Sequence, residues 1–279
     1  MTPLMKVLYA TDGGDPAKNA LSLFARAAAP DKARVTAVTV VRQADASADV
    51  LGSAIATLEA AGFPAEERVL NGHPGPAILD ELDRGGYQLA VVGAGNRSRL
   101  GRRLMGSVST KLLHAAPASV MIVRRLAHDA PQVRVLVGSD GSEDADRTVN
   151  RIIGLLNPSS CHVHVLSVAE QLMPDLTLPI PRVAYATGAP TPELEREWTE
   201  AAQSFAAAAA AKLERAGFRT DTRAVLGAPA ARLLAETERI GADLVAVGSR
   251  GLGAVDRASL GSVSDQVVRE APATLVGRS

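Results

Sequence analysis

The sequence predicts two tandem copies of one α/β domain, each a parallel sheet covered by helices on both faces. Three observations predict it. The chain has 279 residues, long for one ordinary domain and sufficient for two that each bury a core. It repeats itself. Within each copy, short β-branched apolar runs alternate with segments of helical length and period, the pattern of strands buried from both sides.

The repeat settles the architecture before any local reading does. Val7-Leu8-Tyr9-Ala10-Thr11-Asp12-Gly13 matches Val135-Leu136-Val137-Gly138-Ser139-Asp140-Gly141 at an offset of 128, and the offset still holds for Val35 to Val40 against Val163 to Val168. Further on it becomes 155, bringing Ala61-Gly62-Phe63 onto Ala216-Gly217-Phe218, Gly93 onto Gly248, and Gly106-Ser107-Val108-Ser109 onto Gly261-Ser262-Val263-Ser264. The second copy therefore carries 27 extra residues between Ala169 and about Ala216. The domains are expected at residues 1–128 and 132–279, with the boundary in His128 to Gln132.

In the first copy, Lys6 to Ala10, Val35 to Val41, Leu89 to Gly93 and Val120 to Val123 read as strands. Helices are expected over Asp15 to Ala28, about Asp49 to Ala61, Pro76 to Gly85 and Ser107 to Ala116. Gly62 and Gly217 suit the left-handed position after a helix, while Pro117 and Pro272 stop the last helix of each copy. In the second copy Glu170 to Pro190 is proline-rich and aperiodic, so it reads as an extended excursion. A long helix follows, with Thr191 as its cap and Pro192 and Glu193 in its first turn. Trp198 and Phe205, seven apart on that helix, are expected to face the core.

Composition bounds the partners. Thirty basic and thirty acidic side chains cancel, leaving no overall positive field to draw the chain to nucleic acid or an anionic membrane. Aromatics make up only 3%, which offers little for stacking single-stranded bases. The apolar run Phe205 to Ala211 is far short of the ~20 residues that cross a bilayer. Cys161 is the single cysteine, and Met1 to Val7 lacks the apolar stretch of a signal peptide, so a cytoplasmic location is expected.

In an open parallel sheet a ligand sits beyond the carboxyl ends of the strands, where strand order reverses. Asp12 and Asp140 follow the first strands, where a carboxylate accepts hydrogen bonds from a sugar hydroxyl or base amino group; a cap for the following helix is the equal alternative. After the fourth strand of the second copy comes Gly248-Ser249-Arg250-Gly251, and then Gly261-Ser262 opens a helix. Successive N–H groups in such a loop, with a helix N-terminus behind them, make a place for a phosphate chain. A glycine-rich turn with an ordinary serine cap is the plainer reading of one such loop.

Taken together, these residues resemble the universal stress protein family. Its ATP-binding members carry Gly, two residues, Gly, nine residues, then Gly-Ser/Thr, and Gly248, Gly251, Gly261 and Ser262 fit that spacing. The family's aspartate after the first strand matches Asp12 and Asp140, and a second-strand residue 28 positions later, whose main chain reads adenine, matches Val40 and Val168. Its Gly-x-Pro turn matches Gly72-His73-Pro74 and Gly227-Ala228-Pro229.

The resemblance implies two Rossmann-like domains of the adenine nucleotide α-hydrolase-like type, each a five-stranded parallel sheet in order 3-2-1-4-5. ATP, with or without Mg²⁺, would lie across the switch between strands 1 and 4. The implied site residues are Asp12, Val40, Gly72, Gly93, Asn96, Gly106, Ser107, Val108 and Ser109 in the first copy. In the second they are Asp140, Val168, Gly227, Gly248, Arg250, Gly251, Gly261, Ser262, Val263 and Ser264. Family members are often dimeric through the last strand, so the two copies are expected to pair as an internal pseudo-dimer, with a homodimer of the whole chain as a further assembly.

The first copy departs from the pattern at Asn96, where the second has Gly251, and its loop carries Arg97, Arg99, Arg102 and Arg103. The second site is therefore expected to be the more intact: Gly251 is free to take a positive φ, and Asn96 adds a side chain. The four arginines either grip phosphate or form a solvated basic loop. His162 and His164 alternate with Val163 and Val165 and so share a strand face near Cys161, but a third ligand at good spacing is missing and no metal site is expected. His73 has no carboxylate in sequence to orient it as a base.

The leading function is an ATP-binding stress-response or regulatory protein with at most slow hydrolysis and no catalytic residues. Thr11-Asp12-Gly13-Gly14-Asp15 lacks the serines of a Ser-Gly-Gly-x-Asp-Ser loop, and no His-x-Gly-His occurs, which weighs against an ATP-using ligase or nucleotidyl-transfer enzyme. A nucleotide-independent protein-interaction module is the remaining class.

Overall fold

A computed structural model describes residues 3–41, 48–95, 105–128, 130–170, 191–251 and 260–278. The first copy runs β1 (Met5–Ala10), α1 (Asp15–Ala27), β2 (Ala33–Val41), α2 (Ala48–Ala60), β3 (Ala65–Asn71), α3 (Pro74–Gly85), β4 (Leu89–Gly93), α4 (Ser107–Ala115) and β5 (Ser119–Val123). The second runs β6 (Val133–Gly138), α5 (Glu143–Leu155), β7 (Cys161–Ala169), α6 (Pro192–Arg215), β8 (Arg219–Leu226), α7 (Pro229–Ile240), β9 (Leu244–Gly248), α8 (Ser262–Glu270) and β10 (Ala273–Gly277).

The strands form one ten-stranded sheet in the order β3-β2-β1-β4-β5-β10-β9-β6-β7-β8. Each copy thus has the order 3-2-1-4-5, and every pairing within a copy is parallel. The copies meet through β5 and β10, which pair antiparallel from Ala273 opposite Val123 to Val276 opposite Val120. Two apolar layers result. One lies under α1, α2, α5 and α6 and spans both copies, joining Phe24 and Leu58 to Val149 and Leu213; the other lies under α3, α4, α7 and α8.

The seam is reinforced where α1 and α5 end. Ala29 N donates to Leu155 O at 2.8 Å and Asn157 N to Ala27 O at 2.9 Å, while the Lys32 ammonium reaches the Ile153 and Leu156 carbonyls at 3.0 and 3.1 Å. A cation on the last carbonyls of a helix satisfies orphan acceptors and the dipole together. Arg278, just beyond β10, does the same for the Leu113 and Ala116 carbonyls at the end of α4.

Local chemistry explains the ends. Gly62 and Gly217 stand at φ 85° and 89°, the left-handed position expected of them. Thr191 caps α6 by accepting from Leu194 N at 3.3 Å. The excursion expected at Glu170 to Pro190 falls, from 171 onward, outside the described residues.

One expectation needs correction: Trp198 and Phe205 do not both face the core. Phe205 is 37% exposed and Trp198 is half-buried, because α6 turns its alanines (Ala202, Ala206, Ala209 and Ala210) to the sheet instead. The outer strands β3 and β8, Ala-Glu-Glu-Arg-Val-Leu-Asn and Arg-Thr-Asp-Thr-Arg-Ala-Val-Leu, contain no long apolar run, since an edge strand is half solvated and uses charge to blunt its open side. Among the described residues no helix is long and apolar enough to cross a membrane.

Candidate functional site

The sheet reverses its strand order between β1 and β4, and a cavity of about 260 Å³ opens there, at the carboxyl ends of the strands. Asp12, Val40, Gly93 and Val108, all expected in the site, line it, as does Pro74 of the Gly-x-Pro turn. Four separate elements therefore deliver the predicted residues to one crevice.

Asp12 and Asp140 are not helix caps. The caps are Gly14 and Ser142, with Ser142 Oγ accepting from Ala145 N at 3.2 Å. Each aspartate instead accepts, through Oδ1, a main-chain N–H two residues on: Gly14 N and Ser142 N, both at 3.0 Å. That local bond turns the chain out of the strand and fixes the carboxylate at the crevice. Tyr9, directly beneath, donates its hydroxyl to Ala17 O at 2.9 Å, and burial pushes its pKa up to about 12.

Val40 and Val168 contribute main chain. Thr11 N donates to Val38 O at 2.9 Å, and Gly72 N to Val41 O at 3.1 Å, so Val38 directs its peptide groups toward β1 and Val41 toward β3. By alternation along a strand, Val40 faces the β1 side, two residues past the last rung at Ala10 opposite Val38. Its N–H and C=O therefore look into the space that β1 has left. Ser139 N to Leu166 O and Gly227 N to Ala169 O, both 3.0 Å, give Val168 the same disposition.

The glycines divide by purpose. Gly72 and Gly227 stand at φ 117° and 136° and are needed for the turn. A Cβ on Gly93 would overlap the main chain of Pro16, and one on Gly248 would lie 2.9 Å from the main chain of Asp144, so both serve close packing of strand on helix. Gly106 and Gly261, the caps of α4 and α8, are different. They have ordinary backbone angles, and among the described residues an added Cβ would find nothing nearer than 3.6 and 3.4 Å. Gly251 also lacks a positive φ, against expectation; a Cβ there would lie 2.7 Å from Asp140 Oδ2, so a side chain at this position would push the carboxylate aside.

The serines behind them split likewise. Ser109 and Ser264 are buried and bond back to Gly106 O at 3.0 Å and Gly248 O at 2.6 Å, while Ser107 and Ser262 are exposed in the first turn. Val108 and Val263 are half-buried beside them. Asn96 and the arginines at 97, 99, 102 and 103 lie outside the described residues.

The second copy holds, at its phosphate loop, a carboxylate that sequence reasoning missed, Asp144. Asp144, in the first turn of α5, accepts from Ser249 Oγ at 2.7 Å and from Arg250 Nε at 3.1 Å through the same oxygen, and from Arg147 at 2.7 Å through the other. Burial opposes ionisation of Asp144, but the Ser249 hydroxyl, Arg250 and Arg147 outweigh it and hold the carboxyl below its ordinary pKa. No motif marks this trio; comparing the copies does, because its counterparts are Pro16, Ala94 and Gly95. A second omission is Asp221 on β8, which the parallel register sets opposite His164.

This is a doubled Rossmann-like α/β fold with a crevice at the strand 1 to strand 4 switch. The chain belongs to the universal stress protein family, matching it over residues 3–124 and again over 133–276, and is a tandem two-domain member. A universal stress protein of Mycolicibacterium smegmatis is 31% identical over 194 residues, 66% of this chain and 59% of that protein. The chain thus spans less than two thirds of that relative's length. Among solved structures, a universal stress protein from Archaeoglobus fulgidus superposes with a TM-score of 0.62 at 23% identity, covering 98% of both chains. One from Pseudomonas aeruginosa does so with a TM-score of 0.67 at 15% identity, covering 98% of this chain and 92% of the other. At those identities the likeness is one of fold.

Proposed function

We propose that the chain is an ATP-binding stress-response or regulatory protein with one adenine-nucleotide site per copy, the second having the more intact phosphate loop. The observation that carries this is the pair of helix-capping glycines, Gly106 and Gly261, which neither their backbone angles nor packing against the described residues demands. A glycine without an internal reason leaves room for something outside the chain, and here it opens a helix N-terminus suited to phosphate. Around it, Asp12 or Asp140 supplies a carboxylate for the ribose, and the outward peptide of Val40 or Val168 a donor and acceptor for adenine.

The chain works by binding. The carboxylates at the strand ends, Asp12 and Asp140, are each engaged by a main-chain N–H rather than by a group that would orient them as bases, and ground-state binding alone lowers no barrier. The reading is tested by denaturing the purified protein and analysing the released small molecules by chromatography and mass spectrometry. Adenine nucleotide in stoichiometric amount is expected; its absence, together with no calorimetric response to added ATP, overturns the proposal.

A further inference from the structure

We propose that His162, His164 and Asp221 form a binding site for a divalent transition ion of the zinc class, at the end of the sheet opposite the nucleotide crevice. Nε2 of His162 and Nδ1 of His164 approach the same oxygen, Asp221 Oδ2, at 2.9 and 3.3 Å. All three donor atoms lie within 4.8 Å of one another. Zinc takes imidazole nitrogen and carboxylate oxygen at about 2.0–2.1 Å in a tetrahedron, which separates neighbouring donors by roughly 3.3 Å. The site has that scale before any ion enters.

Two further observations favour an ion over a plain ion pair. Nε2 of His162 is buried and makes no hydrogen bond, although Oδ2 is so near. The nearby carboxylate Glu236 is already occupied by Arg223 at 2.7 Å and Arg239 at 2.6 Å, so it does not compete for the imidazoles.

The first copy shows how the same place is built without imidazoles. Arg34 and Thr36 stand where His162 and His164 do, and Thr36 Oγ1 donates to Glu66 Oε1, the counterpart of Asp221, at 2.9 Å. The backbone is thus compatible with either solution, and only the second copy has the chemistry of a ligand set. Three protein ligands leave a fourth position for water, with Asp221 more than half exposed on the outer strand. An ion there would tie β8 to β7, fastening the edge of the sheet.

The test is zinc titration of the full chain by calorimetry, without nucleotide, beside a His162→Arg/His164→Thr double variant that copies the first half, an Asp221→Asn variant and a His114→Gln control. One zinc per chain with a dissociation constant of micromolar or below is expected. Affinity should fall at least about tenfold in Asp221→Asn and further in the double variant, with the control unchanged. Cobalt should give visible absorption of tetrahedral intensity in the wild type alone. Circular dichroism melts confirm that each variant is folded, and zinc should raise the melting temperature only where the site is intact. Equal zinc affinity in the wild type and the folded double variant, or no stoichiometric binding in the wild type, overturns the proposal whatever the outcome with nucleotide.

Discussion

Arg250 donates to Asp144 across 3.1 Å, and the positions that match them in the first copy are Gly95 and Pro16. One crevice therefore has a guanidinium fixed at its side by a carboxylate, and the other has neither partner. A fixed cation costs less entropy on meeting a phosphate than a mobile one.

From this difference, and from Gly251 against Asn96, the second copy should bind ATP more tightly. Gly251→Asn should displace Asp140, whose oxygen lies 2.7 Å from the new Cβ position, and so weaken the second site. Arg250→Ala should cost that site about tenfold, the scale of one charge-assisted hydrogen bond. Calorimetry on the wild type and both variants, with Asn96→Gly as the reciprocal change, measures it. Unchanged affinity in Gly251→Asn, or filling of the first site alone, would count against the loop's part in binding.

Gly261→Ala should separate binding from folding. Among the described residues the new methyl meets nothing nearer than 3.4 Å, so stability should change by less than about 1 kcal/mol. ATP affinity at the second site should drop by an order of magnitude or more. A folded variant that keeps its affinity for ATP reverses the assignment.

Turnover should be slow. Phosphate release should stay far below about 10 per second, the ordinary enzymatic scale, in a coupled assay at saturating ATP. A rate on that scale that vanishes with Gly261→Ala would require a base or metal at the crevice.

Acid should release the Asp144 contacts. Because the folded state lowers this carboxyl's pKa, its contribution is complete at neutral pH and disappears as pH falls from about 4, the ordinary carboxylate value, through the folded one. Asp144→Asn should therefore destabilise by about 1 kcal/mol at pH 7 and by much less at pH 3, read from urea midpoints. A pH-independent gap would place the effect in packing.

Much of this was legible in the sequence because the repeat exposes it twice. Two copies of Val-Leu-x-x-x-Asp-Gly predict both a buried first strand and the carboxylate at its end. The copies' glycine spacings predict the crevice that Gly93 and Val108 line. What the sequence hides depends on pairing across the sheet or on exposure. Asp221 lies 57 residues beyond His164 and becomes its neighbour only through parallel register. Phe205 reads as core by its spacing, and only the width of the alanine face shows that no room remains for it. Gly251 reads as a left-handed residue, when the constraint on it is another residue's carboxylate.

The antiparallel meeting of β5 and β10 has a consequence for how the halves are free to differ. In a two-fold dimer of identical chains every substitution appears on both sides of the axis at once, and each must tolerate its own image. Here the partners share one backbone, so each stays at a high effective concentration for the other however much their sequences diverge. A histidine pair can replace an arginine and a threonine, or Arg250 a glycine, on one side only. The seam thus converts a symmetric assembly into two independently adjustable domains that cannot drift apart.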